Sequence, residues 1–188
     1  MIKNSSQQGM NAAANAIARA GLSLGARRKH IFTVECFDKH GNLKWIDTIE
    51  NLVVNTGLDD ILDKYYKGSS YTAAHYCGLT DGTPTPAAGD TMASHSGWVE
   101  VTAYDEAARQ TITWGTVSSQ SVDNSASKAV FTISSNGTTI GGCFVTTNST
   151  KGDSGGTLVG VGAFSAGDKI LDDNDVLNVT VTATESAS

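Results

Sequence analysis

"KAVFTISSNGTTIGGCFVTT", residues 128–147, decides the reading of this chain. Two runs rich in Val, Ile, Phe and Thr flank Ser135-Asn136-Gly137. Such residues fit the pleated surface of a strand, and Asn-Gly accepts the positive φ of a tight turn. The pattern therefore predicts two strands joined as a hairpin. Gly141-Gly142 interrupts the second run, and glycine inside a strand marks a bulge or a close backbone approach.

Outward from this stretch the same texture continues. "TLVGVGAF" (157–164) and "VLNVTVTAT" (176–184) follow it, and "WVEVTAY" (98–104) and "RQTITWGTV" (109–117) precede it. Nearer the N-terminus, "IFTVECF" (31–37) and "LKWIDTI" (43–49) flank "DKHGN", which predicts a hairpin with Gly41 at the turn. Adding "AHYCGL" (74–79) gives about nine short strands at regular spacing. The fold class is mainly β, an antiparallel sandwich or jelly roll. One helix is expected, in "NTGLDDILDKYYKG" (55–68), where Leu58, Ile61, Leu62 and Tyr65 fall at i, i+3, i+4 and i+7. Asn55 or Thr56 would cap it, Gly68 would end it, and the apolar stripe would close one end of the β core. The stretch 80–97, "TDGTPTPAAGDTMASHSG", reads as a long loop of the kind that serves function or meets a partner.

Charge divides the chain. Residues 1–30 hold Lys3, Arg19, Arg27, Arg28 and Lys29 and no acid, a formal +5. The remainder has 8 basic and 19 acidic residues, so it carries −11 of the net −6. This places a basic N-terminal arm (1–30) on an acidic β domain (31–188), an asymmetry that suits an arm acting on a partner. Residues 11–20 are Ala-rich and would form a short helix, marginal alone and ordered only against another surface. No apolar run reaches the roughly 20 residues of a membrane span, and the N-terminus shows no apolar signal-peptide core. Cys36, Cys77 and Cys143 sit in predicted strands and read as small buried hydrophobes, consistent with synthesis in a reducing cytoplasm.

Two stretches spell a serine protease. "TAAHYC" (72–77) and "KGDSGGTL" (151–158) offer His75 and Ser154 in the order of the trypsin-like family. A triad is defined by geometry, and the surroundings disagree. Tyr76 stands where that family has Cys, and only 34 residues follow Ser154, too few for the rest of a second barrel. Gly, Asp, Ser and Asn are also what a surface turn requires. The protease stays a remote alternative. Asp168, Asp172, Asp173 and Asp175 lack the Gly and terminal Glu of an EF-hand, and the four His have no metal-ligand spacing. The acidic body would repel a phosphate backbone, which disfavours nucleic acid. No catalytic, cofactor or metal residue emerges.

"LKWIDTIENLVVNTGLDDILD", "GLTDGTPTPAAGDTMASHSGWVEVTAY", "QSVDNSASKAVFTI", "GTTIGGCFVTTNSTKG" and "FSAGDKILDDNDVLNVTVTAT" resemble small virion structural proteins of tailed bacteriophages. The resemblance covers residues 31–184. It implies a noncatalytic β protein without cofactor, made in the host cytoplasm and built into the particle. The expected role is a capsid decoration or cement protein that oligomerises on, and stabilises, the lattice of the major capsid protein. Arg19, Arg27, Arg28 and Lys29 would anchor the arm, and loop 80–97 would meet a sister copy or the capsid. Trp98 would be a core residue or an interface anchor. The alternative is a tail or fibre-attachment adaptor; a carbohydrate-binding sandwich is a third class.

Overall fold

The computed structural model describes residues 27–70 and 74–186. Strands β1 (Arg27–Phe37) and β2 (Leu43–Val53) form the expected hairpin. Its turn works through Gly41 at φ +82° and through the Asp38 carboxylate, which accepts the backbone N–H of His40 and of Asn42, each at 2.8 Å. Alternate residues of β1, namely Phe32, Val34 and Cys36, point into the core, as the period of a strand requires. β1 begins at Arg27, so the last four residues of the expected arm are already strand.

β2 carries the main bend of the fold. Residues Leu43–Asn51 ladder with β1, while Leu52 and Val53 ladder with β10 (Leu158–Ala163). Beyond β10 lie β9 (Gly142–Thr146) and β3 (Tyr76–Thr80), and then β4 (Glu100–Val101) and β5 (Gln110–Thr111), both paired to β3. On the other side β1 is followed by β12 (Val176–Ser186), which pairs β6 (Ser121–Asp123) and β7 (Ala129–Thr132). All of the registered pairs are antiparallel, and the sheet curls on itself. The inner face packs Phe32, Val34, Ile49, Leu79, Phe131, Val145, Leu177 and Val179 into one core. Residues Arg28–Thr184 make one compact unit.

Glycine sets how close the parts come. A Cβ on Gly142 would lie 2.0 Å from the Gly162 carbonyl oxygen, and one on Gly141 1.4 Å from that of Gly82. The reading of Gly141-Gly142 as close backbone approach holds, and the break there separates β8 (Thr138–Ile140) from β9. The Ser135-Asn136-Gly137 turn forms, with Gly137 at φ +75°, but its flanking strands do not pair. This corrects the hairpin expectation. β7 ladders with β12, whereas β8 joins β11 (Lys169–Leu171) in a separate two-stranded sheet. The turn therefore carries the chain from one sheet to another.

Loop 80–97 folds onto the outer face of the β3–β9–β10 sheet. Met92, with Trp98 just beyond the loop, forms a second core with Val54, Phe144, Leu158 and Val161. β9 is thus covered on both sides and buried at every residue. Asp90, itself buried, accepts the Ala87 N–H at 2.9 Å, and Ala88 C=O accepts the Asn55 N–H at 2.8 Å. Cys36, Cys77 and Cys143 are all buried free thiols. Burial pushes the Cys36 thiol up to about 12, so it stays protonated and acts as packing.

Candidate functional site

Helix α1 (Asn55–Ile61) continues into a π-helical turn, Leu62–Tyr66, and Gly68 at φ +67° ends it as expected. The cap differs from the expectation. Val54 occupies the N-cap with no side-chain hydrogen bond, and the Thr56 hydroxyl instead donates to Leu158 C=O at 2.8 Å. Gly57 lies against β10 so tightly that a Cβ there would sit 2.5 Å from the Val159 carbonyl oxygen. The helix docks through Thr56 and Gly57, and this rotates its apolar stripe outward.

Leu58 is 38% exposed, Leu62 54%, Tyr65 80% and Tyr66 76%. The stripe does not close the core, which corrects the sequence reading. Only Ile61 of the four remains half-buried at the sheet side. Tyr65 and Tyr66 meet edge-on with ring centroids 5.1 Å apart, extending one apolar face. Along its flank run Asp59, Asp63 and Lys67, four residues apart, with Lys67 Nζ 2.8 Å from Asp63. The small residues Thr56 and Gly57 were the sequence signal that marks the docked side.

Beside this face lies a cleft of about 390 Å³ lined by Asp60, Ile61, Lys64, Tyr65 and His75. His75 Nδ1 accepts the Trp114 indole N–H at 3.1 Å, the atom on which a protease triad would place its carboxylate. Burial lowers the His75 pKa, opposed by the charge of Asp60. His30, 6% exposed, is held lower still, at about 4, by burial first and then by Arg28 and His75. It lies directly across the ladder from Asn51, and His30 Nδ1 and both polar atoms of the Asn51 amide have no hydrogen-bond partner among the described residues.

Ser154 is exposed in a loop with an architectural job. Arg109, 2% exposed, forms a bidentate pair with Glu100 at 2.8 and 2.7 Å. The same guanidinium donates to Asn148 C=O and Asp153 C=O, and Glu100 also accepts the Gly152 N–H. The Gly-Asp-Ser-Gly-Gly stretch is therefore a turn clamped by a buried ion pair. Asp175 likewise has an internal role, pairing with Lys44 and accepting the Asp172 N–H at 2.8 Å.

Of the residues expected to meet a partner, Arg28, Lys29 and Trp98 have described side chains. Arg19 lies outside the described residues, as does the side chain of Arg27. Arg28 is partly buried on β1, and Lys29 pairs with Glu50 across the hairpin. Trp98 is 6% exposed, stacked by His95 at 3.6 Å and packed on Phe144, so its weight falls to the core. No helix among the described residues is long and apolar enough to cross a membrane. No family model, curated protein or solved structure matches the chain.

Proposed function

We propose that this protein is a noncatalytic virion structural protein of a tailed bacteriophage, most concretely a decoration protein that binds the lattice of major capsid protein. What carries the reading is the outward apolar face of Leu58, Leu62, Tyr65 and Tyr66. A contiguous apolar face rimmed by charge suits assembly. The charge asymmetry supports the same reading: residues 1–30 carry a formal +5 and the remainder −11, which suits a basic segment meeting an acidic second surface. Many weak contacts repeated over a lattice then give avidity without a deep pocket. Binding only the mature shell stabilises that shell by linkage.

The test is sedimentation and electron imaging of full-length protein with mature capsids and with isolated tails, beside protein lacking residues 1–26. Dense coating of shells, weakened by salt and lost with the segment, is expected. Coating of tails alone would transfer the role to a tail or fibre adaptor, and binding to neither would overturn the reading.

A further inference from the structure

Resting on the reading of this protein as an assembly component, we infer that the outward face of α1 and the following turn pairs with the same face of a second copy, antiparallel across a twofold axis. Three observations carry it. The face is apolar and contiguous, with Leu58, Leu62 and Tyr66 in a row and Tyr65 beside them. It is directed outward by construction, because Gly57 admits no side chain against β10. Its flank is charge-ordered: Asp59, then Asp63, then Lys67.

That order is self-complementary when the two helices run antiparallel. Reversing the helix about a twofold sets Asp59 of one copy opposite Lys67 of the other, and Lys67 opposite Asp59. Asp63 meets its own counterpart at the axis, where Lys64 at 3.7 Å and Lys67 at 2.8 Å already offset its charge within each chain. The antiparallel arrangement also opposes the helix dipoles. Opposite charges around an apolar centre fix register and orientation, as they do in paired helices generally.

The experiment is sedimentation velocity and mass-resolved size exclusion of the full-length protein and four full-length variants, each checked by its thermal melt. The unaltered protein is expected as a dimer. Leu62→Asp with Tyr65→Asp yields a monomer that still melts cooperatively as a folded chain, since Leu62 is 54% and Tyr65 80% exposed. Lys67→Glu alone weakens the dimer by at least about tenfold, Asp59→Lys alone does likewise, and the two together restore it. A monomeric protein, a threefold oligomer, or a dimer indifferent to these changes overturns the inference. Shell binding by the unaltered protein separates this outcome from the function itself. An unaltered protein that is monomeric yet coats shells overturns the pairing and keeps the decoration role, whereas a dimer that ignores shells does the reverse.

Discussion

Arg109 takes a full charge to a place that water does not reach. Its guanidinium is satisfied by Glu100 and by two backbone carbonyls, and the Phe144 ring lies 5.3 Å from it. Removing one member of such a pair strands the other. Arg109→Met is expected to destabilise the protein by about 3–5 kcal/mol, with most of that recovered on adding Glu100→Leu. Urea unfolding of both variants checks it, and a single-variant loss below about 1 kcal/mol would refute the clamp. His30 gives a second residue-scale prediction. Its folded pKa is depressed from 6.5 to about 4, so the native state keeps it neutral. The unfolded chain then binds the extra proton between those values. The contribution is present above pH 6.5 and is lost as pH falls toward 4, by about 3 kcal/mol at most. The difference in stability between wild type and His30→Asn should narrow over that window. His75 and His95 shift in the same direction for the same reason, so the comparison with the variant, and not the raw profile, is decisive.

At the scale of elements, the orientation of α1 turns on one atom that is absent. An alanine near a helix start ordinarily stabilises it by up to about 1 kcal/mol over glycine. At Gly57 the added carbon would meet the Val159 carbonyl oxygen at 2.5 Å, a backbone atom with no room to move. Gly57→Ala is therefore expected to destabilise, by about 1–3 kcal/mol, and to raise hydrogen exchange in residues 55–66 before the sheet. A stabilised variant would show that the helix is held by something other than this contact. Periodicity found the helix and Gly68 found its end, but periodicity cannot say which side of a helix is docked. A Leu and Tyr stripe ordinarily marks the buried side. Here the close approach of Gly57 and the Thr56 hydroxyl bond fix the opposite choice.

On the scale of the whole molecule, the sequence by itself determined the local states. Alternating Val, Ile, Phe and Thr made strands, Gly41 and Gly137 made turns, and the three cysteines became buried packing, because these outcomes follow from backbone sterics and side-chain polarity within a few residues. It also read Gly-Asp-Ser-Gly-Gly as a surface turn, since a turn needs Gly, Asp and Ser whatever they spell. Only the tertiary structure decided which strands pair. The Asn136-Gly137 turn fits a hairpin locally, yet β7 has its ladder in β12 and β8 in β11, segments some tens of residues away. Trp98 was divided between core and interface until the loop before it folded over Phe144. The candidate face was legible as a stripe and illegible as a surface. Exposure belongs to no residue or helix alone: it is what remains after every other element has found its partner.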